Sequence, residues 1–299
     1  MLNILRVSLR TKRFVMVLGR GDTDMAALPR AFAERMGAKD RYLEIKVPMD
    51  WMDSSDLFGH LDLEGKFVPG AIIDFLKQAQ SNPERPYFLC LDGIQLSRAE
   101  YYLREVLTAI ERKTPLVPVI YYGRDQEALE TYGEIPALEN LYIIGTSNLD
   151  YASLPLNQKL LDRVPTIYLQ PGDALGQGTA GSLQCAYDSI GDCLEKAQVY
   201  FPLFEQLNQI LIRINSYVGY QMRNDGILFL LNNDVLESKA AEDHIICQKV
   251  LTRIQGAQKV KPALEELLAV CKDTYPRARL ALERMLRQLE TEEYTSYWG

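Results

Sequence analysis

The sequence contains only two histidines, His60 and His244, and its five cysteines include no CxxC pair. Structural zinc sites are commonly built from Cys and His residues at short spacing, so the residues for such a site are missing. The odd number of cysteines argues against a full disulfide framework, and we expect free thiols in a reducing compartment. These absences exclude a Cys/His metalloprotein and a small disulfide-stapled secreted domain.

The chain also lacks an excess of positive charge and any long apolar run. It has 33 Lys and Arg residues against 40 Asp and Glu residues, a net charge of −7. This balance does not support nucleic-acid binding, which usually needs a basic face. No apolar run approaches the roughly 20 residues that cross a bilayer, and the first residues do not form a signal peptide. We expect a cytoplasmic protein without a membrane partner.

Two hydrophobic patterns divide the 299 residues. In the first half, short apolar runs alternate with helical stretches, which predicts βαβ units and a parallel sheet. The predicted strands are Phe14–Leu18, Tyr42–Val47, Tyr87–Asp92, Leu141–Thr146 and Thr166–Leu169. The predicted helices of this half are Ala26–Met36, Ala71–Gln80 and Arg98–Arg112. After a glycine-rich loop at 170–182, apolar residues recur at helical spacing only. We therefore predict an α/β domain at 1–182 and an all-helical domain at 183–299.

Polar residues follow two of the predicted strands. Ligands of parallel sheets bind at the carboxyl ends of the strands, and Asp92 and Asn148 fall there. Two plainer interpretations stay open, in which Asp92 caps the next turn and Asn148 is a hydrogen-bonding loop residue. The carboxylates of Asp53, Asp56 and Asp62 are expected to form turns and caps rather than a metal site.

Three segments in a fixed order carry a resemblance to a known family. They are residues 51–70, residues 88–100, and residues 140–150 followed by 160–163. In this order the chain resembles the McrB/MoxR-like branch of the AAA+ nucleotide hydrolases. There the segments are an insertion in the second helix (here near 48–70), the Walker B strand, and sensor 1 with an arginine-bearing turn. The resemblance implies an α/β, P-loop-type three-layer domain with a parallel sheet, followed by a C-terminal all-helical lid domain.

The Walker A segment departs from the family pattern. A P-loop reads GxxxxGK[ST], and the corresponding slot in this chain consists of Gly19, Arg20, Gly21, Asp22, Thr23, Asp24, Met25 and Ala26. Asp24 stands in place of the last glycine, Met25 in place of the lysine and Ala26 in place of the magnesium-binding hydroxyl. A carboxylate about 6 Å from a phosphate charge repels it by roughly 3 kcal/mol at an effective dielectric of about 20, so Asp22 would disfavour a triphosphate as well. Pro29 indicates that the following helix begins near Leu28.

The other family positions are partly kept. The resemblance makes Asp92 the Walker B carboxylate, which would hold magnesium, and Asn148 the sensor 1 residue. Gly93 stands where a glutamate activates the attacking water. Gln221 stands at the sensor 2 arginine, and Arg163 matches the arginine-bearing turn. Arg163 has two interpretations, a surface residue or a cation that completes the site of a neighbouring subunit.

These substitutions favour a degenerate AAA+ module, a pseudo-ATPase that serves as a scaffold or interaction subunit. It would bind no cofactor and would have a protein partner, for example another AAA+ subunit. The alternative is an active or nucleotide-binding protein of the McrB/MoxR type that uses ATP or GTP with Mg²⁺. An unrelated α/β enzyme is a third class, although no Ser/His/Asp arrangement supports it.

Overall fold

The computed structural model describes residues 1–20, 24–149, 158–169 and 181–298. Its strands are β1 Phe14–Gly19, β2 Tyr42–Lys46, β3 Gly59–Leu61, β4 Phe67–Pro69, β5 Tyr87–Asp92, β6 Leu141–Asn148, β7 Thr166–Tyr168, β8 Gln255–Ala257 and β9 Tyr294–Ser296. Five of them form one sheet in the order β2-β5-β6-β1-β7, while β3 pairs with β4 and β8 with β9. The α/β class with a parallel sheet is thus confirmed.

The helices complete the alternation. They are α1 Leu2–Thr11, α2 Ala27–Arg35, α3 Ser55–Phe58, α4 Ile73–Ser81, α5 Ala99–Tyr102, α6 Arg104–Arg112, α7 Gln126–Tyr132, α8 Gln158–Arg163, α9 Leu194–Ala197, α10 Phe201–Ile212, α11 Tyr220–Asn232, α12 Ser238–Ile245, α13 Lys261–Cys271 and α14 Pro276–Glu292. A π-helical turn spans Ile246–Val250. The described 3₁₀ turns are Lys39–Arg41, Ile94–Leu96, Val119–Tyr122, Gly191–Cys193, Gln198–Tyr200, Leu251–Arg253 and Gln258–Val260. No helix in these described ranges is long and apolar enough to cross a membrane.

Burial explains the three central strands. Every residue of β1 is buried, and so are all residues of β5 and β6 except the last one of each. Such continuous apolar runs are typical of parallel strands that are covered on both faces. The predicted strand bounds agree with the observed ones to within two residues. Parallel pairing then sets the carboxyl ends of these strands side by side, with Gly19 opposite Asn148.

Two elements near the site differ from the expectation. The predicted helix at Arg98–Arg112 is divided into α5 and α6 at Leu103, whose backbone leaves the helical region with φ −94° and ψ 1°. Between β2 and α4, the chain forms the short helix α3 and the β3–β4 hairpin, which the sequence analysis had described only as an insertion near 48–70. The amide of Gly70 donates a hydrogen bond to the carbonyl of Phe58, so the two ends of the hairpin are held next to each other.

The chain divides into two compact units. The first, which we call the α/β unit, consists of Arg13–Leu161 and Leu169–Ala180. The second, which we call the helical unit, consists of Met1–Lys12, Asp162–Tyr168 and Gly181–Gly299. The sequence pattern predicts domains at 1–182 and 183–299, and these limits stay a prediction.

The helical unit has its own apolar core, made by the faces of α10 to α14. The predicted apolar stripes lie in it: Leu207, Ile210 and Leu211 of α10 are buried, and Leu282 and Met285 of α14 are fully buried. Helix α1 contacts α11, and its Val7 joins the same core. The sequence analysis did not predict α1.

Lys249 is a buried cation inside this core. It lies in the π-helical turn, is 1% exposed, and donates a hydrogen bond from Nζ to the carbonyl oxygen of Val164 at 3.2 Å. Asp225 is nearby, but its carboxylate pairs with Lys12 at 2.9 Å. Removal from water therefore dominates, and burial lowers the pKa of Lys249 to about 8.

We expect Lys249→Met to raise the free energy of unfolding at pH 7 by about 1–3 kcal/mol. The lowered pKa of Lys249 corresponds to about 3 kcal/mol against folding, from which about 1 kcal/mol for the lost hydrogen bond is subtracted. Between pH 8 and the ordinary lysine pKa of 10.5, the unfolded chain binds more protons than the folded chain. Stability of the wild type should therefore rise with pH in that window, and the advantage of the variant should shrink.

Urea unfolding at pH 7 and at pH 10 measures both effects. Lys272→Met, at an exposed position, is the matched control and should change stability by less than about 0.5 kcal/mol. A difference between Lys249→Met and wild type that is the same at both pH values would contradict this account.

Candidate functional site

Asp92 and Thr146 meet at the carboxyl ends of β5 and β6. The parallel register places Leu91 opposite Gly145, so the next residues on both strands are neighbours. The Thr146 hydroxyl donates to Oδ1 of Asp92 at 2.5 Å and accepts a hydrogen bond from the amide of Gly93 at 3.0 Å. One buried hydroxyl thus fixes both the carboxylate and the peptide that follows it.

Gly93 has a left-handed backbone, with φ 79° and ψ 40°. A Cβ atom built on it would lie 3.0 Å from Cδ1 of Leu96, at the other end of the 3₁₀ turn Ile94–Leu96. Side chains with a Cβ rarely adopt this conformation, at a cost of roughly 1–2 kcal/mol. Gly93 is therefore the residue type that this turn requires.

At the end of β1, the side chain of Met25 packs back onto Gly19. A Cβ atom on Gly19 would lie 3.0 Å from the sulfur and 3.1 Å from Cγ of Met25. Both Met25 and Ala26 are buried. The apolar side chain of Met25 is thus directed at the strand end, and Ala26 offers no hydroxyl. The predicted site residues Gly21, Asp22 and Thr23 lie outside the described residues.

Helix α2 begins at Ala27, one residue after the start predicted from the hydrophobic pattern and one before the start near Leu28 that Pro29 indicates. The amide of Ala27 donates to the Asp24 carboxylate at 3.1 Å, and the amide of Arg30 donates to the carbonyl of Ala26 at 3.2 Å. Pro29 has no amide hydrogen. Three of the first four residues of α2 therefore have no amide hydrogen left for a phosphate at this helix start.

The cation of α2 is bound to protein carboxylates. The Arg30 guanidinium makes bidentate contacts with Glu44 on β2 at 3.0 Å and lies 3.7 Å from Asp24. The hydroxyl of Tyr42 donates to the same Glu44 carboxylate at 2.7 Å. The hydrogen bond to Glu44 raises the pKa of Arg30, so this guanidinium stays charged and paired. The negative charge of Asp24 is partly neutralised in the same way.

The remaining predicted site residues are Asn148 in the α/β unit and Arg163 and Gln221 in the helical unit. Asn148 ends β6 opposite Gly19, and the amide of Leu149 bonds the Gly19 carbonyl at 2.8 Å. In the helical unit, Arg163 is exposed at the end of α8 and Gln221 is exposed in the first turn of α11.

Neighbours of these residues carry local contacts. Asp162, the residue before Arg163, forms an ion pair with Arg253. Arg223, two residues after Gln221, stacks over the rings of Phe201 and Tyr220 at 4.8 and 5.0 Å.

The acidic residues of the insertion form turns and caps, as the sequence analysis expects. Asp53 accepts from the amide of Ser55 at 2.7 Å, Asp56 from that of Met52 at 2.9 Å, and Asp62 from two amides of the hairpin turn at 2.9 Å. Among the described residues, no group of three or more His, Cys, Asp or Glu side chains is arranged to hold a metal ion.

Two contacts of the site were missed by the sequence analysis. Thr146 was regarded only as a strand residue, although its position two residues before Asn148 places it beside Asp92. The pair of Arg30 and Glu44 gives no sequence signal, because the two residues belong to different elements, 14 positions apart.

Comparison with known proteins bears on the fold and on the helical unit. The profile of a family described as a domain of unknown function, DUF8727, matches residues 185–294. No curated protein matches the chain. A protein of Cytophaga hutchinsonii assigned as an ATPase is similar in structure, with a TM-score of 0.50 and 13% identity over 96% of this chain and 88% of that one. NtrX from Brucella abortus gives a TM-score of 0.34 and 14% identity over 96% of this chain and 66% of that one.

The chain shares the fold of the Cytophaga protein, with a five-stranded parallel sheet made of β2, β5, β6, β1 and β7 and a C-terminal helical part. At 13% identity the likeness to the Cytophaga protein concerns the fold alone. The chemistry of this chain has to be argued from its own residues.

The backbone at Gly93 gives a test of the turn after β5. We expect Gly93→Ala to lower the free energy of unfolding by about 1–2 kcal/mol, because alanine is strained in the left-handed region. Gly93→Asn should lower it less, since asparagine tolerates this conformation. Chemical denaturation measures both changes.

Gly191→Ala is the matched control. It is exposed, and the nearest atom to its added Cβ is 3.5 Å away. It should change stability by less than about 0.5 kcal/mol. Equal stabilities of Gly93→Ala and Gly191→Ala would show that the turn does not require glycine.

Proposed function

We propose that this chain is a degenerate AAA+ module of the McrB/MoxR-like branch, which no longer hydrolyses nucleotide and serves as a scaffold or interaction subunit. The packing of Met25 onto Gly19 carries the proposal. In a P-loop, the lysine at this position reaches the phosphates and the next residue holds Mg²⁺ through its hydroxyl. An apolar side chain buried against the strand end and the methyl group of Ala26 supply neither function.

A second argument comes from the position after the Walker B strand. Hydrolysis in this family uses a glutamate there to activate water, whereas Gly93 occupies a left-handed turn. A glutamate at this position would have to strain or reshape the turn. Loss of the lysine, the hydroxyl and the water-activating carboxylate affects three different steps, which no single compensating residue could replace.

Assignment to the McrB/MoxR-like branch is supported by the insertion. A short helix and the β3–β4 hairpin interrupt the helical segment between β2 and β5. The hairpin packs on the 3₁₀ turn Val119–Tyr122, with the ring of Phe67 4.9 Å from that of Tyr122. In the family resemblance this insertion is the feature that separates the branch from other AAA+ modules.

The alternative is a nucleotide-binding or active protein of the same branch, with ATP or GTP and Mg²⁺. The specific observation in its favour is that Asp92 and Asn148 still stand at neighbouring strand ends. Against it, one oxygen of Asp92 is already bound by Thr146.

The first test is calorimetry of the whole chain with ATP and with GTP in the presence of Mg²⁺. We expect no binding up to millimolar nucleotide, because the described residues at the strand end provide an apolar side chain and occupied amides. Asp92→Asn is the matched variant, since it removes the carboxylate that the alternative needs. Micromolar binding by wild type that is weakened in Asp92→Asn would reject the proposal in favour of the alternative.

Hydrolysis should also stay absent in Gly93→Glu, because this change restores neither the lysine nor the magnesium-binding hydroxyl. Measurable turnover by that single variant would show that the Walker A segment has been assigned to the wrong residues.

Arg163 provides the test of an assembly with an active AAA+ partner. AAA+ modules commonly place nucleotide between subunits, and an arginine suits a trans-acting role because it stays charged and presents a planar fork to phosphate. We expect wild-type chain to raise the hydrolysis rate of such a partner, isolated by affinity capture, and Arg163→Ala to lose at least tenfold of that stimulation. Equal stimulation by both, or capture without any AAA+ protein, would leave a scaffold role only.

Arg287→Ala is the control for this assay, because Arg287 is another exposed arginine of the helical unit. It should stimulate the partner like wild type.

A further inference from the structure

Two methionines are exposed on a segment that is itself held in place. The indole of Trp51 is buried and meets the ring of Tyr102 edge-on at 5.3 Å. Met49 and Met52 flank this anchor and are 73% and 76% exposed. The amide of Met52 donates to Asp56 at 2.9 Å, which fixes the backbone. The methionine side chains therefore face solvent on either side of a buried, packed tryptophan.

The β3–β4 hairpin presents a leucine in the same manner. Leu63 lies in the turn and is 107% exposed, more than in an extended reference chain. The carboxylate of Asp62 accepts hydrogen bonds from the amides of Glu64 and Lys66, each at 2.9 Å. This turn is thus preorganised with its apolar side chain outward.

A hydrogen bond connects the segment of the methionines with the turn on which the hairpin packs. Ser54 contacts the hydroxyl of Tyr121 at 2.8 Å, and Tyr121 belongs to the 3₁₀ turn on which the hairpin packs. The neighbouring Ile120 is 80% exposed. We call the side chains of Met49, Met52, Leu63, Val68 and Ile120 the methionine–hairpin surface.

Highly exposed large apolar side chains are concentrated on the methionine–hairpin surface. Among the described residues, six large apolar side chains are more than 70% exposed, and four of them belong to the methionine–hairpin surface. Single exposed apolar residues are ordinary, but clusters with polar rims are typical of interaction sites.

The segment that carries four of the five side chains of this surface is acidic, and Arg104 is a neighbouring cation that interacts with Asp53. Residues 47–70 contain five carboxylates and one lysine, a net charge of −4: Asp50, Asp53, Asp56, Asp62, Glu64 and Lys66. Hydrogen bonds from Ser55 lower the pKa of Asp53, so its charge is kept at neutral pH. An acidic surface repels phosphate backbones and anionic lipid. It attracts a basic segment, and flexible methionines adapt to different apolar side chains.

We propose that the methionine–hairpin surface is the docking site for a basic, amphipathic segment of a partner protein. Lysine or arginine side chains of that segment would pair with the acidic rim, and its apolar side chains would cover the methionines, Leu63 and Ile120. This inference extends the proposed interaction role by naming a surface and the chemistry of its partner. It does not depend on the loss of hydrolysis.

The test uses the whole chain and a fluorescein-labelled synthetic helix with lysine and leucine at amphipathic spacing. Fluorescence anisotropy should show saturable binding that weakens as salt is raised. The combined variant Met49→Ser, Met52→Ser and Leu63→Ser should weaken binding at least tenfold, and Asp50→Asn with Glu64→Gln should reduce the salt dependence. The same helix with glutamate in place of lysine should not bind.

The control variant is Val199→Ser with Ile212→Ser, which removes exposed apolar side chains of the helical unit (76% and 58% exposed). It should bind the basic helix within twofold of wild type. Equal binding by the surface variant and wild type would overturn the proposal, as would sedimentation showing a wild-type dimer that this variant dissolves. Nucleotide calorimetry on the surface variant keeps the two proposals separable, because its result should equal that of wild type.

Discussion

Parallel pairing of three buried strands is the constraint on which the candidate site depends. The side-by-side register of β5, β6 and β1 brings Asp92, Thr146, Asn148 and Gly19 to one edge of the sheet, from segments far apart in the chain. The Thr146 hydroxyl completes this arrangement, because it satisfies both the Asp92 carboxylate and the amide of Gly93 in a buried place where an unpaired polar group would be costly. These two hydrogen bonds hold the ends of β5 and β6 together.

Met25 and Gly93 fit the packing at this edge of the sheet. Met25 fills the space at the end of β1 with apolar atoms, and Gly93 allows the left-handed turn after β5. Neither residue adds a charge at these strand ends, whereas a lysine or a glutamate would bring a charge that needs a partner. Under the proposed function, Met25 and Gly93 account both for the loss of nucleotide chemistry and for the preserved packing of the strand ends.

In that case the methionine–hairpin surface, rather than a nucleotide site, would be the functional part of the α/β unit. The insertion that carries Met49, Met52 and Leu63 is anchored by Trp51 and by carboxylate caps. The exposed apolar side chains take no part in this anchoring. Acidic residues serve there in two ways. They cap the local backbone, and together they give the insertion its negative charge.

The sequence alone determined the features that depend on local pattern. Continuous apolar runs predicted β1, β5 and β6, because strand formation follows from residue type along the chain. The assignment of Met25, Ala26 and Gly93 to motif positions rests on the order of motifs and stays a prediction. Tertiary structure decided what depends on contacts between distant segments. These are the bond between Thr146 and Asp92, the packing of Met25 onto Gly19, the pairing of Arg30 with Glu44, and the place of α1 in the helical core. Such contacts have no sequence period, since burial and register across the sheet select them rather than any local preference of the backbone.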